Sequence, residues 1–273
     1  MFKKLISRIL LQKIILILFF CVLCGISKLY SQSKESQAEW FPLSKGNYWV
    51  YKGIVKWQSS DSLDNIVVME DTITFDMKVI DKVNVGEVNV YALKGFPFLL
   101  YGYKPSDEKD TFYVAQKGFN KYYEVNVKTY SLAKKIMVAS KNNSSEKSEA
   151  ETIAHTLATL QLKKFLDDDY LFLDFPLTAG KKIGSQSSVD REDNMNCWFV
   201  KDSVKTDINN IKGLPVLNGI DKYILAYKTL QEGVEYDFVP GIGITRFRFK
   251  HMGTGSECDV RLIEYSSKVD KSR

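Results

Sequence analysis

Histidine is nearly absent from this chain: only His155 and His251 occur in 273 residues. There is no H-E-x-x-H, and the single C-x-x-C, Cys21 to Cys24, falls in an apolar N-terminal run. The sequence therefore carries no recognisable zinc set, and none of its spacing asks for a metal or a cofactor. No G-x-S-x-G occurs either, so a hydrolase elbow has no local support. Long hydrophobic runs are missing beyond the N-terminus. The stretch Ile14 to Ile26, IILILFFCVLCGI, is shorter than the roughly 20 residues that a membrane-crossing helix needs. Proline is scarce at six residues, yet two of them, Pro42 and Pro176, stand in one repeated phrase.

The N-terminus reads as an export signal. Lys3, Lys4, Arg8 and Lys13 precede the apolar run, and small residues, Gly25 and Ser27, follow it. Cleavage is expected after Ser27, or as late as Ser31, leaving a short linker over residues 28–39 and placing the protein in the cell envelope or outside the cell. Two other fates stay open, an uncleaved anchor and lipidation of Cys24. Removing the leader takes four cations and no anion from a net charge of +5, leaving +1. A mature chain this close to neutral shows no basic stripe, which argues against a nucleic-acid partner.

The body, residues 40–266, reads as one β-rich α+β domain followed by a polar tail, 267–273. Aromatics alternate with polar residues, the mark of half-buried strands. Tyr48 to Trp57 puts Trp49, Tyr51, Val55 and Trp57 on one face; in Asp71 to Lys82, Ile73, Phe75, Met77 and Val79 share a face. Strands are also expected over 87–94, 111–116, 121–127, 196–204, 222–230, 234–239, 242–250 and 258–265. Short links between them favour antiparallel neighbours. Between halves 40–139 and 170–266, a polar loop (140–151) leads into one expected helix, about Glu149 to Leu166, opened by the capping-box spacing of Ser148 and Glu151. Two antiparallel sheet units, arranged as a sandwich or an open curved barrel, follow.

The repeated phrase is Phe41-Pro42-Leu43-Ser44-Lys45-Gly46 and, 134 positions later, Phe175-Pro176-Leu177-Thr178-Ala179-Gly180. Proline holds the phenylalanine extended, the leucine points the same way two residues on, and Gly46 or Gly180 supplies a positive φ for a sharp turn. Each copy is expected to be a corner that opens a strand. Downstream, Pro240-Gly241-Ile242-Gly243 lacks the third glycine of a dinucleotide fingerprint and precedes a strand. Gly241 and Gly243 instead predict a bend with close backbone approach. F-P-L-x-x-G-x-x-W-x-Y, followed by Phe238-Val239-Pro240-Gly241-Ile242-Gly243-Ile244, resembles motifs in a loose group of bacterial secreted proteins and lipoproteins of unknown function. Ile183 stands where the second copy would have tryptophan. The resemblance implies an exported or envelope β-rich domain and no activity.

Two acidic clusters, Asp167 to Asp169 and Asp190 to Asn194, lack the spacing of a calcium loop and read as solvated. Cys197 and Cys258 are the only cysteines after the leader, and in an oxidising compartment they invite a disulfide worth roughly 4 kcal/mol. Trp49, Tyr51 and Trp57 are candidates to line a ligand site, against the plainer alternative of core packing. Three functions stay open: a non-enzymatic exported protein that binds an apolar ligand or an envelope partner, a hydrolase with scattered residues, and a structural component of the envelope. The lack of catalytic motifs favours the first.

Overall fold

The computed structural model describes residues 39–60, 65–96, 111–142, 156 and 159–267. Twelve strands run β1 (Tyr48–Ser60), β2 (Ile66–Val85), β3 (Val88–Lys94), β4 (Thr111–Lys117), β5 (Lys121–Val125) and β6 (Leu171–Asp174), then β7 (Lys182–Ile183), β8 (Trp198–Ile208), β9 (Leu217–Lys228), β10 (Glu232–Val239), β11 (Gly243–His251) and β12 (Glu257–Ser266). They form one antiparallel sheet in the order 6-5-4-3-2-1-12-11-10-9-8-7. The expected pair of sheet units is thus replaced by a single sheet. The physical reason is β1, which gives one edge to β2 and the other to β12, and so fuses two six-strand meanders. The outer strands β6 and β7 are consecutive in the chain and lie close, so the sheet nearly closes as a barrel.

Alternation decides what faces inward. In β12, Cys258, Val260, Leu262 and Tyr265 are buried. The step from 262 to 265 breaks the period of two, and the ladder with β1 shifts at that place, between Val50 and Tyr51. An extra residue in one strand of this kind restores the facing of everything beyond it. The interior is filled by aromatic and aliphatic side chains, among them Trp49, Tyr51, Tyr91, Tyr236 and Phe247.

The two copies of the repeated phrase turn alike at their glycines, although the Phe175–Pro176 peptide is cis and the Phe41–Pro42 peptide is not. Gly46 (φ 92) donates its N–H to Val79 at 2.8 Å, and Gly180 (φ 83) donates to Val200 at 2.8 Å. Asn47 N–H reaches back to Ser44 at 3.0 Å, as Lys181 N–H does to Thr178 at 3.0 Å. The receiving strands match as well. Each has a register shift just after the valine, at Val79/Asp81 and Val200/Asp202, and in each the aspartate accepts the next backbone N–H. Phe41 and Phe175 both pack against Phe238 and Tyr122, with ring centroids 5.5–6.1 Å apart, and Trp40 stacks on Phe175 at 4.7 Å.

A helix that the sequence reading did not anticipate, α1 (Val127–Asn142), covers the solvent face of β2 and β3. Its signals were present. Asn126 caps it, accepting from the N–H groups of Lys128 and Thr129 at 3.0 Å each, and Thr129, Ala133 and Ile136 form a buried stripe at helical spacing. Tyr130 pins it to the bulge by donating its hydroxyl to Asp81 at 2.5 Å. Half of the expected helix over 149–166 lies outside the described residues; within the other half, 156 and 159–164 are helical. The one-helix expectation is accordingly corrected.

Candidate functional site

The residues proposed from sequence as a ligand-lining face are core. Trp49 and Tyr51 are fully buried. The Trp49 indole donates to the carbonyl of Ile242 at 2.6 Å, and the Tyr51 hydroxyl donates to that of Ile244 at 2.8 Å. Both polar tips are therefore spent on the Pro240–Ile244 bend, and the two motifs singled out in the sequence meet here. Trp57 is partly buried and packs against the same core. Gly241 (φ 79) forms the bend and gives its N–H to Trp40 at 2.9 Å. Gly243 (φ 97) lies so close to Phe41 that an added Cβ would stand 2.7 Å from the ring.

Cys197 and Cys258 are free thiols, both buried. The expected bridge fails on topology. Cys258 is in β12 and Cys197 just precedes β8, so β9, β10 and β11 intervene at about 4.8 Å per strand. A disulfide needs Cα atoms within about 7 Å. Burial pushes the Cys258 thiol up to about 12 and raises that of Cys197. The acidic clusters have local duties: Asp167 accepts the N–H of Asp169, and Asp193 pairs with Arg191. His251 accepts from the N–H groups of Gly253 and Thr254, closing the β11–β12 hairpin. His155 lies outside the described residues.

Among the described residues, the largest cleft with room for a ligand lies elsewhere. A cleft of about 570 Å³ opens across β1, β9, β10, β11 and β12. Its principal side chains alternate with the buried Val55, Val234, Phe249 and Cys258, and so belong to the solvent face of the sheet. Two cross-strand rows build it. One runs Ile54, Asp259, Arg248, Glu235, Ala226; the other runs Lys56, Glu257, Lys250, Gly233, Lys228. Ile54 and Met252 supply exposed apolar surface, and the charged residues form the rim.

Most of that charge is already paired. Arg248 binds Glu235 at 2.8 Å and Asp237 at 3.2 Å, and Lys250 binds Glu257 at 3.0 Å. Glu235 also takes Lys201 at 2.8 Å, and Lys56 takes Glu70 at 3.2 Å. Arg246 donates its Nε–H to Asp259 at 2.8 Å and a second N–H to the other oxygen, which holds the Asp259 carboxyl below its ordinary value. Two cationic donors are left over among the described residues. The Lys228 ammonium lies over the Phe199 ring, 5.5 Å from its centre, without an ion pair. The Arg248 Nε–H is buried without a hydrogen-bond acceptor.

Gly233 is the gap in the second row. Its Cα partners are Lys250 on one side and Lys228 on the other. A Cβ built there meets nothing within 4 Å. A strand glycine often marks the close approach of another backbone; here no described atom approaches, and the missing side chain keeps the cleft open. Sequence reading did not find this site, because Gly233 belongs to no motif and the cleft's residues come from strands far apart in the chain.

No family model matches the sequence, and no curated protein matches it. Among solved structures, a candidate exported protein with a YmcC-like fold from Bacteroides fragilis is similar at 12% identity and a TM-score of 0.32, covering 84% of this chain and 100% of that one. A candidate lipoprotein from Parabacteroides distasonis is similar at 10% identity and a TM-score of 0.27, over 84% of this chain and 99% of that one. Likeness at this level carries no functional argument, and the cleft has to be read from its own chemistry.

Proposed function

We propose that the protein is exported, loses its leader near Ser27, and acts without catalysis as a binding protein for a small amphipathic ligand held in the solvent-face cleft. The observation that carries this reading is the cleft itself. Its volume of about 570 Å³ falls within the roughly 300–1,000 Å³ of small-molecule sites, and it joins apolar surface to a few fixed polar groups. Among the described residues the interior is filled by side chains, which argues against a ligand inside the barrel. The paired state of the cleft's acids argues against a general acid or base, since each carboxylate in the two rows is engaged by a lysine or arginine.

Thermal unfolding of the mature protein against a panel of single-chain amphiphiles tests this. Binding in the cleft raises the melting temperature of the wild type, and Gly233→Leu, which fills the gap, removes the rise. Stabilisation that is identical in Gly233→Leu places the ligand elsewhere. Turnover of ester, peptide, glycoside or phosphate substrates, lost on changing one polar residue, overturns the non-enzymatic reading. N-terminal sequencing of protein recovered from the envelope or medium decides export, and an intact Met1 refutes cleavage.

A further inference from the structure

The cleft distinguishes between kinds of amphiphile. We propose that it selects a single-chain amphiphile with a carboxylate head, seated over Gly233 between Lys228 and Lys250. This rests on the cleft being the binding site.

Three observations lead there. First, the place is unfilled at backbone level: Gly233 is flanked cross-strand by two lysines and carries no side chain of its own. Directly opposed cross-strand residues have Cβ atoms about 4.5–5.5 Å apart, so both ammonium groups can reach a head group resting on the glycine. Second, the unpaired charge in the two rows is a cation. Glu235, Glu257 and Asp259 hold cations already, whereas Lys228 has no acid among the described residues. Glu232, beside Gly233, also lines the cleft, and strand alternation sets it on the face of Val234. Third, Lys228 is the one lysine of the cleft without an ion pair among the described residues. A monoanion matches Lys228, while a dianion would add a second negative charge close to Glu235 and Glu257. The tail then follows the apolar surface of Ile54 and Met252 and the aliphatic stems of the long basic side chains.

Isothermal titration with decanoate and with 1-decanol, which share a chain and differ in the head, provides the test. Wild type should bind decanoate at least tenfold more tightly than decanol. Lys228→Met should abolish most of that preference. Gly233→Leu should bind neither. Lys228→Met is the safeguard if Gly233→Leu does not fold, because Lys228 is exposed and makes no ion pair. Equal affinity of wild type for the two ligands overturns the carboxylate head while leaving an apolar cleft in place. Binding of neither ligand by wild type, or unaltered binding of both by a folded Gly233→Leu, overturns the head and the cleft together. Decanoate affinity in Lys228→Met equal to wild type refutes the lysine's role.

Discussion

Gly243→Ala is expected to be the most damaging of three glycine-to-alanine changes within twelve residues of one another. At Gly243, φ is 97, a conformation that charges an L-residue about 1–2 kcal/mol. The added methyl also meets Phe41 Cε2 at 2.7 Å and Cδ2 at 3.0 Å. Phe41 cannot retreat, because it is fully buried and its ring is held by Trp49, Tyr122 and Phe238. Overpacking of this kind adds about 1–3 kcal/mol, so the total is about 2–5 kcal/mol. For a domain of this size each kcal/mol moves the melting temperature by about 2–4 °C, which gives a loss of about 4–20 °C. Gly241→Ala isolates the backbone part: φ is 79 and nothing lies within 4 Å, so about 1–2 kcal/mol is expected. Gly233→Ala has neither cost and should be neutral or gain about 0.5–1 kcal/mol from a stiffer unfolded chain. Thermal and urea unfolding followed by circular dichroism would rank the three. Adding Phe41→Leu to Gly243→Ala completes a double-mutant cycle, and the pair should cost less than the sum of the singles. Gly243→Ala no worse than Gly241→Ala, or strict additivity with Phe41→Leu, would refute the argument that the ring contact matters.

Trp49→Phe keeps an aromatic ring but removes the donor to the Ile242 carbonyl; a loss of about 1–3 kcal/mol in urea unfolding is expected, and no loss would mean that this bond is not structural. Thiol titration should find two reactive cysteines in the unfolded, unreduced mature protein and far slower reaction in the folded one, since Cys197 and Cys258 are 1% and 3% exposed; no free thiol on unfolding would restore the disulfide. Asp259 has a carboxyl pKa lowered by its hydrogen bonds from Arg246, so its stabilising contribution is present above the ordinary aspartate value and lost as pH falls through the lowered one. Asp259→Asn should therefore be less stable than wild type at pH 7, and the difference should shrink below about pH 4; a constant difference across that range would contradict the linkage.

What the sequence determined by itself was local. Period-two alternation marked out strands because each face of a sheet has its own environment, and that signal sits within a few consecutive residues. The phrase around Phe41 and its later copy around Phe175 declared corners, because proline and glycine restrict or free the backbone wherever they occur. The asparagine cap and the stripe Thr129, Ala133, Ile136 of α1 were equally legible, though a stretch between two strand patterns drew no attention to them. Tertiary structure alone decided the rest. Whether Trp49 and Tyr51 face a ligand or a core depends on what lies opposite, and Ile242 and Ile244, which accept their hydrogen bonds, are 193 residues away. One sheet rather than two follows from the pairing of β1 with β12, the first strand with the last. The separation of Cys197 from Cys258 follows from the strand order, which residue counting does not contain. The cleft is the extreme case, since it joins β1 to four strands near the other end of the chain and turns on a glycine with nothing above it. An empty place is a property of the neighbours, and sequence proximity says nothing about which neighbours the fold will supply.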